Sequence, residues 1–140
     1  MCDAFFAVES ESVITAIIGI GSPFGEDQAG WDAVDALAGE AWVQARLAAG
    51  TLVLEKLDRP GMALLDHLRG HAHVILIDAV LSTEHCPGTW LALPREELAL
   101  LAFPASSHGI GVAEALAMGE TLGMLPEKLE IWGIVVPELC

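Results

Sequence analysis

Three side chains that can bind a metal or transfer a proton lie where apolar or glycine-rich segments end. Asp27 closes a glycine-containing loop, Asp78 follows the apolar run Val74–Ile77, and His108 opens an amphipathic segment. In an open α/β sheet, residues just beyond the carboxyl ends of the strands share one crevice, so residues far apart in the chain can converge there. Two carboxylates and an imidazole suit a divalent transition metal. The sequence therefore predicts a metal-contacting site made of Asp27, Asp78 and His108.

Each of these residues also has a purely structural interpretation. Asp27 could cap the helix that follows it, but capping needs one acid and here Glu26 stands beside it. Glu26 is then either a supporting ligand or a solvated neighbour. Asp78 could cap the next loop through hydrogen bonds, although the cost of burying a charge after an apolar run favours a functional role. His108 could simply start a helix, with a preceding serine as the cap.

The elements that must position these residues follow from apolar periodicity and from glycine and proline breaks. They are a strand at 13–20, a helix at 29–48, a strand at 51–57, a short helix that runs to Gly70, strands at 73–80 and 88–93, a helical turn at 94–97, a helix at 110–122 and a strand at 129–136. We expect Ala41 and Ala45 of the first long helix, and Leu122 of the last, to face the sheet.

This alternation of strands and helices predicts an α/β fold, a three-layer α/β/α sandwich with a twisted, mainly parallel five-stranded sheet. Residues 1–12 are expected to form a flexible N-terminal extension, and residues 13–140 a single α/β domain.

Composition limits the classes of function. Hydrophobic residues make up 54% of the 140-residue chain, and six Lys and Arg stand against twenty Asp and Glu, for a formal net charge of −14. A chain of this length and hydrophobic content folds around a hydrophobic core. So acidic a surface repels nucleic acid and favours cations or basic partner segments. We therefore expect no nucleic-acid partner.

Three features predict a cytoplasmic protein without membrane insertion. No apolar stretch reaches the roughly 18 residues that a membrane-spanning helix needs. The N-terminus lacks the basic and apolar regions of a signal peptide. Three scattered cysteines without a CxxC pair fit a reducing compartment and argue against a thiolate zinc site.

A dinucleotide site after the first strand is disfavoured. Gly19 and Gly21 begin the familiar glycine pattern, but Phe24 stands where the third glycine belongs and Pro23 lacks an N–H for a phosphate. We interpret Gly19–Gly21 instead as part of a tight turn that presents carboxylates to a cation, and we expect no nucleotide cofactor.

Five segments in order resemble the [NiFe]-hydrogenase maturation proteases, the endopeptidases that trim the C-terminal tail of the hydrogenase large subunit. The segments are Gly19–Asp27, Asp58–Leu65, Ile77–Ala79 with Pro87–Thr89, Ser107–His108, and Gly133–Glu138. The resemblance runs from about Ile14 to Glu138, nearly the whole chain.

The resemblance implies a function and a site. The family's metal-contacting residues fall on Asp27, Asp78 and His108, while the shorter glycine loop lets Glu26 and Asp27 exchange roles. The nickel is expected to belong to the substrate, a large-subunit precursor cut only after nickel insertion. Cleavage would be metal-assisted hydrolysis with an unassigned general base.

Two alternatives remain open at this stage. The chain could be a non-catalytic relative that binds nickel or the precursor as a maturation chaperone or, less favourably, a nucleotide-binding module. Because the chain stops soon after its last strand, we expect one sheet face to be partly uncovered, and so a monomer or a weak homodimer.

Overall fold

The computed structural model describes residues 14–23, 28–94 and 111–136. The predictions for residues 1–12, Glu26, Asp27 and His108, and all but the first residue of the turn at 94–97, lie outside these ranges. The described elements are β1 (Thr15–Gly21), α1 (Ala29–Ala38), α2 (Ala41–Ala49), β2 (Leu52–Asp58), a 3-10 turn (Gly61–Ala63), α3 (Leu64–Leu68), β3 (His73–Leu81), β4 (Trp90–Ala92), α4 (Val112–Leu122) and β5 (Lys128–Val136).

The five strands form one sheet in the order β2-β1-β3-β5-β4. Neighbouring strands are parallel except β4, which runs antiparallel to β5. The continuous apolar sequence of β1 and β3 reflects burial on both faces, as is usual for central strands of a parallel sheet. The predicted mainly parallel α/β sheet is confirmed.

Successive residues of β3 divide the core into two clusters on opposite faces of the sheet. Val74, Leu76 and Val80 pack on the face covered by α3 and α4. Ile75 and Ile77 pack on the other face, with residues of α1 and α2. Helices therefore cover both faces, which gives the three layers expected from the sequence.

The helix predicted at 29–48 is two helices. The first ends at Gly39, and Glu40 then takes an extended conformation, with ψ of 137°, before the second begins. This break turns the second helix so that Val43 is buried against the core while Ala41 and Ala45 are exposed. The prediction that those two alanines face the sheet was wrong.

Leu122 was also assigned wrongly, since it is 58% exposed. The chain turns back after α4, at Gly123 with φ of 68°. A Cβ built on Gly119 would lie 2.7 Å from Leu125 Cδ2. Leu125 therefore packs beside Gly119 and partly occupies the core position that helical periodicity had assigned to Leu122.

Among the residues described, no helix is long and apolar enough to cross a membrane.

Candidate active site

The strand order places a crevice between the carboxyl ends of β1 and β3. From β1 the chain passes to α1 on one face, whereas the chain beyond β3 returns to the sheet through α4 on the other face. Two neighbouring strands whose following connections run over opposite faces of the sheet mark a topological switch point, where open α/β sheets bind ligands.

Asp78 lies at this switch point. Pairing of β1 with β3 stops at Gly19 and Ile77, so Asp78 is the first residue of β3 beyond it. The strand continues to Leu81 alongside β5, and Asp78 pairs there with Gly133. The sequence placed Asp78 where the apolar run ends, within a strand predicted at 73–80. The structure confirms it as an internal strand residue and shows that β1 no longer pairs beside it.

The Asp78 carboxylate is buried, with 2% of the residue exposed. The N–H of Ala79 donates a hydrogen bond to Asp78 Oδ1 at 2.8 Å. By the alternation of β3, the Asp78 side chain shares the α3/α4 face with Leu76 and Val80. A buried acid on a surface otherwise filled by leucine and valine is costly to the fold, which favours a chemical role.

The first turn of α1 lies directly on the strands beside Asp78. A Cβ built on Gly30 would stand 2.4 Å from the carbonyl oxygen of Ile20 and 2.7 Å from that of Ile77. On the strand side, a Cβ on Gly19 would stand 2.4 Å from the Gly30 oxygen. Only glycine permits so close a contact between helix and sheet.

The interpretation of Gly19 and Gly21 as a tight turn was therefore wrong, because both are residues of β1. Gly19 serves the contact with α1 instead. Sequence reasoning missed its partner Gly30, for which the available signal was a glycine inside a helical pattern.

Two hydrogen bonds hold the segments around this contact. Gln28 Nε2 donates to the Pro23 carbonyl at 2.9 Å, which ties together the two flanks of residues 24–27. Trp31 Nε1 donates to the Leu57 carbonyl at 3.0 Å, which joins α1 to the end of β2. The start of α1 is thereby fixed to β1, β2 and β3.

The turn after β2 lies at the same edge. Arg59 has φ of 41°, a conformation uncommon outside glycine, and its N–H donates to the Gly21 carbonyl at 3.0 Å. Its Nε also contacts Asp58 Oδ1 at 2.8 Å. The sequence had no local signal for the attachment of this turn to β1.

The start of α4 reaches this edge from the opposite face. Its N-cap is Gly111, whose N–H donates to Glu114 Oε1 at 3.0 Å. The helix ends only a few residues before β5 begins, and its eleven residues span about 16 Å, so it runs antiparallel to β5. Val112, in the first turn of α4, belongs to the same core cluster as Ile20 and Val80.

Of the predicted site residues, the structure describes Asp78 alone. Asp27 directly precedes Gln28, and His108 lies three positions before Gly111, but both are outside the described ranges, as is Glu26. Within those ranges no group of three histidine, cysteine, aspartate or glutamate side chains could hold a metal ion.

Other histidines have structural partners. His67 Nδ1 lies 3.1 Å from Glu55 Oε2, and His73 Nε2 lies 2.5 Å from Glu130 Oε2. His73 begins β3, so its pair with Glu130 lies at the end of the sheet away from the switch point.

Comparison with known proteins decides the family. The model of the hydrogenase maturation protease family matches residues 59–139, more than half of the chain. The chain belongs to the hydrogenase maturation protease family. The matched region contains β3 with Asp78 and the glycine of β5 opposite it, so Asp78 lies within the sequence that the family model covers.

Individual relatives agree with this membership. The Hydrogenase 2 maturation protease of Escherichia coli K12 is 38% identical over 79 residues, which are 56% of this chain and 48% of that protein. The aligned part thus spans about half the length of the relative.

Solved structures support the fold. An endopeptidase from Escherichia coli, solved in solution, has a TM-score of 0.69 at 26% identity, over 87% of this chain and 74% of that one. The E. coli hydrogenase maturating endopeptidase HybD has a TM-score of 0.61 at 22% identity over the same shares. The HybD protease of Thermococcus kodakarensis has a TM-score of 0.57 at 21% identity, over 90% of this chain and 82% of that one.

Proposed function

We propose that this protein is an endopeptidase that removes the C-terminal extension of a [NiFe]-hydrogenase large-subunit precursor after nickel insertion. The observation that carries the proposal is the buried carboxylate of Asp78 at the β1/β3 switch point of a chain in the hydrogenase maturation protease family. We further propose that the reaction takes place in the cytoplasm, where an exposed free thiol such as Cys86 stays reduced.

The proposed site is Asp27, Asp78 and His108, with Glu26 as a further carboxylate. Support comes from the described residues that neighbour Asp27 and His108 in the chain. Gln28 is the N-cap of α1, whose first turn packs on the carbonyl oxygens of Ile20 in β1 and Ile77 in β3. Gly111 is the N-cap of α4, which covers the face of the sheet that carries Asp78. Gln28 directly follows the candidate ligand Asp27, and Gly111 lies three positions after the candidate ligand His108.

The nickel in this proposal is part of the substrate. Two carboxylates and one imidazole are too few to fill the coordination shell of a divalent transition metal, so an ion held by the precursor keeps positions for its own ligands. Contact with that ion orients the adjacent peptide bond and polarises its carbonyl group. Either carboxylate can accept the proton of the attacking water, so both are candidates for the general base.

Intact-mass spectrometry of a cognate precursor tests this proposal. Nickel-loaded and nickel-free precursor are incubated separately with the protein, and only the loaded form is expected to lose a discrete C-terminal peptide. A verified loaded precursor that keeps its full mass would refute the endopeptidase activity. Binding without cleavage would then identify a maturation chaperone.

The same assay decides which of the two acids before α1, Glu26 or Asp27, contacts the metal. Asp27→Asn is expected to abolish cleavage, whereas Glu26→Gln does less harm. The reverse order would mean that Glu26 is the ligand.

A further inference from the structure

A groove opens beside Asp78 on the α3/α4 face of the sheet. Its volume is about 380 Å³, within the usual range of roughly 300–1,000 Å³ for small-molecule sites. The described residues that line it, which we call the Leu91 groove, are Val80, Leu81, Ser82, Thr83, Glu84, His85 and Leu91. The groove has an apolar part formed by the two strands and a polar rim formed by the loop after β3.

The register of the sheet connects this groove with Asp78. Gly133 of β5 pairs with Asp78 on one side and with Leu91 of β4 on the other. Residues paired across a sheet project to the same face, so Asp78, Gly133 and Leu91 form one row across three strands. The middle position of that row has no side chain.

The space above Gly133 is filled from its neighbours. A Cβ built on Gly133 would lie 2.8 Å from Val80 Cγ1 and 3.0 Å from Leu93 Cδ1. Both side chains are buried, so packed core separates the carboxylate from the groove on this face. A peptide cleaved at the carboxyl edge of the sheet would instead reach the groove past the end of β3, where Leu81 and the residues after it form the wall.

The rim of the groove is held in place and carries one acid. His85 Nδ1 lies 3.2 Å from Ser82 Oγ, and the Glu84 N–H donates to the same oxygen at 3.2 Å. Glu84 is exposed, and the molecule has a formal net charge of −14. An acidic peptide side chain would be repelled here, whereas an apolar one would bury its surface on the partly exposed Leu81 and Leu91.

We propose that the Leu91 groove binds an apolar side chain of the precursor peptide flanking the cleaved bond, and so contributes to sequence specificity. The inference rests on the proposed endopeptidase function and adds to it the class of peptide that is selected. Neither Leu91 nor His85 belongs to the proposed catalytic set.

The test measures kcat and KM for cleavage of nickel-loaded precursor. Leu91→Trp fills the groove and is expected to raise KM about tenfold with kcat nearly unchanged, because the loss of one apolar contact is felt in binding. The matched control is Leu54→Trp, on the edge strand β2 and on the opposite face, where Leu54 is also partly buried. The control is expected to keep the wild-type KM.

A second variant keeps the proposal testable if Leu91→Trp misfolds. Leu91→Ala enlarges the groove. The flanking residue of the precursor, located from the mass of the released peptide, is changed in turn to Ala, Leu, Phe and Asp. The wild type should prefer Leu over Ala and reject Asp, and Leu91→Ala should shift the preference toward Phe. A wild type that cleaves with no preference among these residues, or an unchanged preference in Leu91→Ala, would overturn the groove proposal and leave the activity standing. A wild type that cleaves nothing refutes the proposed function itself.

Discussion

At the level of single residues, Asp78 contributes chemistry at a cost to stability. An aspartate that is 2% exposed among leucine and valine side chains lowers the stability of the fold unless its charge is compensated, and the hydrogen bond from the Ala79 N–H contributes to that compensation. An apolar residue at this position would suit the core better. A carboxylate at this buried position fits the role proposed for it.

We predict that Asp78→Asn reduces precursor cleavage by roughly 10²- to 10⁴-fold, the range associated with loss of a general acid or base. Asparagine keeps the size of the side chain and an oxygen that can accept the Ala79 N–H, so the fold should survive. The melting temperature and the intact-mass assay measure the two effects separately.

The matched control for this variant is Asp66→Asn, because Asp66 is an exposed aspartate on α3. It should cleave precursor at the wild-type rate. Wild-type cleavage by Asp78→Asn would remove the central residue of the proposed site.

At the level of secondary-structure elements, the site depends on how closely α1 approaches the sheet. The contact between Gly19 and Gly30 brings the helix onto the carbonyl oxygens of Ile20 and Ile77, the residue before Asp78. The Trp31 indole then fixes the rotation of the helix against β2. A side chain at the glycine contact would push α1 away from Ile20 of β1 and from Ile77 of β3.

We predict that Gly30→Ala lowers the free energy of unfolding by about 1–3 kcal/mol, the usual cost of overpacking. The added Cβ would meet two backbone oxygens at 2.4 and 2.7 Å, which cannot move aside as a flexible side chain could. Because Asp27 of the proposed site precedes α1 by only two residues in the chain, cleavage should fall further than stability. Urea unfolding and the precursor assay measure the two quantities.

The control for the helix variant is Gly39→Ala at the end of the same helix. Gly39 has φ of −83°, and its added Cβ would meet only the Ala36 oxygen, at 3.5 Å. Stability and cleavage should both stay near wild type. Equal behaviour of the two variants would show that the close contact at Gly30 has no special importance.

At the level of the whole molecule, charge and topology act together. Twenty acidic residues against six basic ones attract cations in general, so charge alone does not select a nickel-loaded precursor. Selection requires a defined place for the metal, and the β1/β3 switch point provides one edge where separate segments of the chain meet. The proposed selection of nickel-loaded precursor therefore depends on the arrangement of the fold as well as on its charge.

We predict that chelator treatment of the protein, followed by removal of the chelator, leaves cleavage of loaded precursor unchanged. The reason is that the metal in this proposal arrives with the substrate. The measurement is the rate of precursor shortening before and after treatment. Lost activity that returns when metal is added to the protein alone would instead show a resident metal ion.

The sequence by itself determined the main features of the fold and the identity of one buried candidate. Continuous apolar runs identified β1 and β3 as central strands, and an acid after Val74–Ile77 singled out Asp78. Helical periodicity located the helical segments, although it joined α1 and α2 into one helix. These signals are readable because they are local: each depends on residues only a few positions apart. The convergence of Asp27 and His108 on Asp78 stays a prediction.

Tertiary structure decided the features that depend on residues distant in the chain. Gly19 and Gly30 acquire their role from facing each other across two elements, and Gly133 acquires its role from pairing with both Asp78 and Leu91. Leu122 is exposed because Leu125, after the turn at Gly123, packs against the core beside Gly119. Periodicity shows which face of an element is apolar, whereas close contacts and register are set by the neighbours that the fold brings to that face.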